Sequence, residues 1–295
     1  MPMADIEMRF GRDMLVVEGG MGFMFTRYGA ENVDCPELLN VTEPDLIEEI
    51  HKYFHLAGAN CAISNTYGAS RSRLAKLGMS EHVEDLNRRG VRLAKANKPH
   101  HVLADMGASL IAAVDDESCN AAAQDYAEQA RYLAMEEPDA IYIETMTSLP
   151  DAVCAVEAAK EACELPVMCS CVFDAEGNLA KTGESIEECC QQLQDAGADV
   201  VGMNCKLGPA EMVALAPRLA GACNVPTMMC PDVVAPTRNR KGDLDYHGAT
   251  DAMAKAAVEM RAAGIQLIGS CCGSTPAYTS AIFSLVGNLE VADPR

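Results

Sequence analysis

Three thiols at two places along the chain suggest metal chemistry. Cys205 stands in VGMNCKLGP (201–209), and Cys271 and Cys272 stand together in GSCCGSTP (269–276). Adjacent thiols reach one ion only where the backbone bends sharply, and Gly269 and Gly273 flank the pair with the freedom such a bend needs. Three thiolates suit a tetrahedral zinc that binds sulfur at about 2.3 Å and leaves its fourth position to water or substrate. The same residues leave a second reading open, a redox-active Cys271–Cys272 pair, which gives Cys205 no role.

The chain has fourteen cysteines in 295 residues. No run approaches the roughly 18–20 apolar residues of a membrane span. The opening MPMADIEMRFGRD is polar and lacks the apolar stretch of a signal peptide. A cytoplasmic protein is expected, in which thiols stay reduced and a disulfide scaffold is not called for. Cys61, Cys154, Cys163, Cys169, Cys171 and Cys223 sit among apolar neighbours, where cysteine acts as a small buried hydrophobe. Cys189 and Cys190 fall in an apparent helix, SIEECCQQLQDAG, and read as structural too. The histidines at 51, 55, 82, 100, 101 and 247 show no metal-binding spacing, and most of them read as surface or helix residues. With 23 basic and 43 acidic residues the formal charge is −20. Such a surface repels phosphate backbones and anionic lipid heads, so neither nucleic acid nor membrane is an expected partner.

The elements that must carry the thiols alternate along the chain. Short apolar, β-prone runs lie at 14–18, 61–64, 101–105, 140–144, 166–171, 199–203, 225–230 and 266–270. Between them lie helical stretches such as TEPDLIEEIHKYFHLAG, with Thr42 as N-cap, and TDAMAKAAVEMRAAG, ending at Gly264. Continuous apolar strands separated by helices imply parallel strands buried on both faces. Eight such units point to a (β/α)₈ TIM barrel forming one α/β domain over 1–295, as that fold commonly runs to about 250 residues. An open α/β sheet is the competing architecture, but Gly19-Gly20-Met21-Gly22 lacks its dinucleotide or P-loop spacing. In a barrel the chemistry gathers where strands end. Those positions here are Glu18-Gly19-Gly20, Asn65-Thr66, Asp105, Glu144-Thr145, Asn204-Cys205, Asp232 and Cys271-Cys272.

With the motifs EGGMG (18–22), GANCAISNTYGAS (58–70), IYIETM (141–146), VFDAEGNLAKTG (172–183), VGMNCKLGP and GSCCGSTP in hand, the chain resembles the homocysteine S-methyltransferase family over nearly its whole length. The resemblance implies a (β/α)₈ barrel that methylates the thiol of homocysteine, yielding methionine, with Zn²⁺ held by Cys205, Cys271 and Cys272. It further implies that Glu144 grips the substrate ammonium, that Glu18, Gly19 and Gly20 orient its amino-acid end, and that Ser64, Asn65 and Thr66 line the same pocket. Two positions depart from the family pattern. Glu18 replaces an aspartate, and Pro231-Asp232 replaces the Pro-Asn of methionine synthase modules, where the asparagine can approach the zinc. Asp232 is accordingly expected to supply a displaceable fourth ligand.

The donor is read from what the chain lacks and what it keeps. Onium donors such as betaine are held by aromatic cages, yet there is no tryptophan and only 5% aromatic residues, and Thr145 stands where betaine enzymes place a tyrosine. VFDAEGNLAKTG is closer to the methionine synthase module, whose donor is methylcobalamin. A subunit that meets methylcobalamin on a separate corrinoid protein is therefore expected, with S-methylmethionine or a betaine-type onium as the alternative donor and another acceptor thiol left open. Outside enzymes, an idle zinc- or thiol-binding scaffold is the alternative, which the intact thiol set and Glu144 oppose.

Overall fold

The computed structural model describes residues 5–30, 34–111, 116–234, 237–238, 244–245 and 248–291. His247 and the two ends of the expected 1–295 domain lie outside the described residues.

All eight apolar runs form strands of one parallel sheet: β1 (Leu15–Val16), β2 (Cys61–Ile63), β3 (His101–Met106), β4 (Ala140–Met146), β5 (Val167–Cys171), β6 (Val200–Asn204), β7 (Thr227–Cys230) and β8 (Leu267–Ile268). Neighbours in sequence are neighbours in the sheet, and β8 pairs with β1 through Leu15↔Leu267 and Val16↔Ile268. A parallel bridge between Val17 and Cys61 joins β1 to β2, so the sheet curls into a barrel. A short antiparallel ribbon, Thr237–Arg238 with Leu244–Asp245, follows β7.

Both faces of the sheet are buried, which explains the unbroken apolar runs. Leu15, Val17, Leu103, Tyr142, Met168, Val200, Met228 and Leu267 fill the interior. Their sequence neighbours, among them Val16, Ala104, Ile141, Ile143, Val201 and Ile268, pack outward against the helices. The alternation within each strand thus separates two apolar layers rather than apolar from polar. Ile6 and Phe10 join the interior cluster, and Arg9 Nη1 lies 3.2 Å from His101 Nε2 at the start of β3. That places the first helix, Ile6–Arg9, under the N-terminal end of the barrel, away from the strand ends where the chemistry was expected.

Helix limits follow local chemistry. Thr250–Ala262 ends at Gly264, whose φ is +100°. Its amide donates to Arg261 O at 2.9 Å and the Ile265 amide to Met260 O at 3.0 Å. This is the paired closure that a left-handed C′ glycine allows. The expected Thr42 cap is not present. Thr42 ends a separate short helix, Leu39–Thr42, and its hydroxyl donates back to Leu38 O. The next helix instead starts with Pro44 in its first turn, where the missing N–H costs nothing.

Candidate active site

The strand ends enclose a cavity of about 350 Å³. Glu18, Gly19, Gly20, Ser64, Asn65, Glu144, Cys205, Cys271 and Cys272 line it, together with Asp105, Thr145 and Cys230. Thr66 does not. It is wholly buried, and its hydroxyl donates to Asp105 O at 2.7 Å and meets Ser64 Oγ at 2.6 Å. The expectation that Ser64, Asn65 and Thr66 all face the pocket is corrected there: the chain turns at Ser64, and Thr66 ties that turn to β3.

The thiols converge from two loops. Cys205 Sγ is 3.7 Å from Cys272 Sγ, and Cys272 Sγ is 3.9 Å from Cys271 Sγ. Ligand atoms of these three and of Asp232 all lie within 4.8 Å of one another. The loop after β7 locks the two thiol loops together. Cys205 N donates to Cys230 O at 3.1 Å and Cys271 N to Pro231 O at 2.7 Å. Asp232 completes the clamp, accepting from the Lys206 amide on Oδ2 and the Cys272 amide on Oδ1, each at 3.1 Å. Cys205 and Lys206 both have positive φ, +61° and +66°, a conformation non-glycine residues adopt at a cost and chiefly at functional sites. On the far side, a Cβ built on Gly20 would stand 2.9 Å from Cys271 O, and one on Gly19 2.3 Å from Ser274 Oγ. The paired glycines let the β1 loop approach the thiols.

Two sulfurs bound at about 2.3 Å to a shared tetrahedral zinc lie about 3.8 Å apart. The observed 3.7 and 3.9 Å match that spacing. Hydrogen bonding to Cys205 and Cys272, together with burial, pushes the Cys271 thiol well above its ordinary range. Gathering three thiolates here needs a cation, and the donor set fits zinc. The redox reading, which left Cys205 idle, does not account for its place in the cluster.

Behind the thiols Asn204, at the end of β6, is wholly buried and links β4, β5 and the Cys271 loop. Its amide nitrogen donates to Glu144 Oε1 at 3.1 Å and Thr145 Oγ1 at 2.7 Å, and lies 3.8 Å from Cys271 Sγ. Its oxygen accepts from Ser170 Oγ at 2.7 Å and from the Thr145 amide at 3.2 Å. Sequence reading placed Asn204 at a strand end without a role, and a lone strand-end asparagine carries no stronger signal.

Glu18 is buried and committed. One oxygen accepts from the Ile63 amide at 2.6 Å, and His51 Nδ1 lies 3.2 Å from the other. His51 is a helix residue, as expected, but one turned inward, whereas His101, buried in β3 between Arg9 and Asp139, is neither a surface nor a helix residue. Among the expected structural cysteines, Cys61, Cys169, Cys171, Cys189 and Cys190 are buried, whereas Cys154, Cys163 and Cys223 are half-buried.

Burial, then the charge on Cys272, pushes Glu144 up to about 7. A carboxyl whose folded pKa exceeds its unfolded value stabilises the fold fully only below the unfolded pKa, and that contribution is lost as pH rises through the folded one. The window runs from about 4.5 to about 7. Metal-free wild type should lose on the order of 2–3 kcal/mol relative to Glu144→Gln between pH 4.5 and 8. Denaturant melts of both proteins at the two pH values test this; a pH-independent difference would count against it.

A family model described as homocysteine S-methyltransferase matches residues 15–286. The chain is similar to a methionine synthase of Mycobacterium tuberculosis, 28% identical over 271 residues that cover 87% of this chain and 23% of that protein. A methionine synthase of Mycobacterium leprae is also 28% identical, covering 87% of this chain and 22% of that protein. The chain thus spans under a quarter of the length of the curated relatives it matches. The metallated homocysteine methyltransferase MmuM of Escherichia coli superposes with a TM-score of 0.78 at 21% identity, over 92% of this chain and 96% of that one. The likeness to MmuM confirms the barrel fold.

Proposed function

Because the chain belongs to the homocysteine S-methyltransferase family, we propose that its barrel acts as one domain moving a methyl group onto the thiol of homocysteine, with zinc on Cys205, Cys271 and Cys272. The observation that carries this reading is the spacing of the three sulfurs at the end of a substrate-sized cavity. When bound, the zinc supplies a Lewis acid that makes a thiolate available at neutral pH, where a free thiol near pKa 8.5 is mostly protonated.

The chain's own residues do the rest. Glu144 takes the acceptor's ammonium, held in place by Asn204. The Gly19 amide, which has no acceptor among the described residues, faces the acceptor's carboxylate, with Gly20, Ser64 and Asn65 walling that end. Glu18 supports the wall through Ile63 and His51 rather than gripping substrate directly. Asp232 keeps a lone pair on each oxygen beyond its two amide bonds and serves as the displaceable fourth ligand. A zinc-edge absorption spectrum left unchanged by Asp232→Ala would rule that role out.

Methylcobalamin on a separate corrinoid protein is the proposed donor, supported by the likeness of VFDAEGNLAKTG (172–183) to methionine synthase modules. No described helix is long and apolar enough to cross a membrane. Work in the reducing cytoplasm is part of this reading, and there the fourteen thiols of the chain stay reduced. The test is incubation of zinc-loaded protein with homocysteine and, in turn, methylcobalamin, S-methylmethionine and betaine, with methionine read by mass spectrometry. Methionine from methylcobalamin is expected. Its absence with every donor would overturn the reading and favour a scaffold.

A further inference from the structure

Four carboxyl groups line the cavity, those of Glu18, Glu37, Asp105 and Glu144, and no lysine or arginine is among the described residues that line it. Two of the four are already engaged. Glu18 accepts from Ile63 N and faces His51, and Glu37 accepts from Gly68 N on one oxygen and from the Cys35 thiol on the other. Asp105 differs. It is 3% exposed, and its Oδ1 has no hydrogen-bond partner among the described residues. Glu144 accepts on Oε1 from Asn204 and makes no side-chain bond on Oε2 among the described residues.

The sheet brings these two together. Asp105 pairs in register with Tyr142 on the neighbouring strand, and Glu144 lies two residues further along β4. Leu103 and Tyr142 belong to the interior cluster, so the two-residue alternation of strands points Asp105 and Glu144 into the barrel as well. Burial, and after it the carboxylates of Glu144 and Glu37, pushes Asp105 well above the ordinary carboxyl range, with only the Met106 amide and Arg73 acting the other way. A buried carboxyl oxygen without a donor is a standing cost that a ligand can relieve. The ligand group must bring N–H donors and positive charge. A trimethylammonium or sulfonium has the charge but no such donor, whereas a primary ammonium has both.

We infer that Asp105, with Glu144, clamps the ammonium of the acceptor and makes this site selective for α-amino thiols over thiols that lack the amine. Asp105 joins Glu144 because the other two carboxyl groups are engaged, Glu18 with Ile63 and His51 and Glu37 with Gly68 and Cys35. This rests on the thiol-transfer reading above, and its test separates the two.

Zinc-loaded protein, wild type and Asp105→Asn, is titrated calorimetrically with L-homocysteine and with 4-mercaptobutanoate, which keeps the thiol and carboxylate but has no amine. Wild type is expected to prefer homocysteine by about tenfold or more, the scale of one charge-assisted hydrogen bond. Asp105→Asn should lose that preference through weaker homocysteine binding, with 4-mercaptobutanoate held within about twofold of wild type, which also shows that the variant folds and keeps its metal. Undiminished discrimination in Asp105→Asn, or equal loss of both ligands, would overturn the assignment while leaving thiol transfer intact. Wild type binding neither thiol would bring down the thiol-transfer reading and this inference with it.

Discussion

Replacing Cys272 by serine is expected to strip the thiol cluster of zinc, taking the metal content of purified protein from about one ion per chain to below about a tenth, and methyl transfer with it. Cys272 is the central thiol of the three, 3.7 Å from Cys205 and 3.9 Å from Cys271. A serine hydroxyl at that point stays protonated at neutral pH and offers a poor soft-metal ligand. Losing an outer-shell partner typically costs 10–100-fold in metal affinity, on the order of 1–3 kcal/mol, and losing a direct ligand should cost more. The backbone offers no rescue, because the Cys272 amide is held by Asp232 and its carbonyl by Val233, so the hydroxyl cannot move toward the ion. Without zinc only about 3% of an acceptor thiol is ionised at pH 7, and activity should fall at least by that ratio. Metal analysis by mass spectrometry beside a methionine assay decides the matter. A variant that keeps full zinc occupancy would show that Cys272 is not a ligand.

The features legible in the sequence are those that depend on runs of neighbouring residues. Each barrel strand is a local apolar run, and the arrangement of β1 to β8 follows once parallel strands are linked by helices. Cys205, Cys271 and Cys272 could be brought together on paper because strand ends of a barrel share one mouth. Lateral bonds between strands leave no such trace. Nothing around Glu18 announces that His51, on a helix of the outer ring, reaches in to meet it. Thr66 looks like its neighbours Ser64 and Asn65, and only the tight turn at Ser64 sends its hydroxyl to Asp105 O. Asp232 showed as a carboxylate near the thiols, but its hold on the amides of Lys206 and Cys272 depends on the left-handed backbone at Cys205 and Lys206. No residue-type preference predicts that conformation for cysteine or lysine.

Asn204 gives the second large effect. Asn204→Ala should destabilise the protein by about 2–4 kcal/mol, the range expected when several buried polar groups lose a partner at once. The side chain is wholly buried and serves Glu144, Thr145 and Ser170. Thr145 makes the case sharper. It is β-branched yet has a φ of +63°, a strained state that persists only where its surroundings over-determine it. Asn204 supplies that constraint, accepting from the Thr145 amide and donating to its hydroxyl. Freed from it, Thr145 should relax toward ordinary backbone and carry Glu144, its neighbour in the chain, out of the cavity. Homocysteine should then bind more weakly by about tenfold or more, since a charge-assisted contact to Glu144 is worth about 1.5–3 kcal/mol. Asn204→Asp provides the contrast. It keeps the volume and the acceptor oxygen but turns the donor into a second acceptor facing Glu144. Such a pair has a raised folded pKa, so the added instability should be small below the unfolded carboxyl range and grow as pH rises through neutrality. Denaturant melts at pH 5 and pH 8 measure both variants. An Asn204→Ala protein as stable as wild type, with undiminished affinity for homocysteine, would mean that Glu144 and Thr145 are held by something other than this amide.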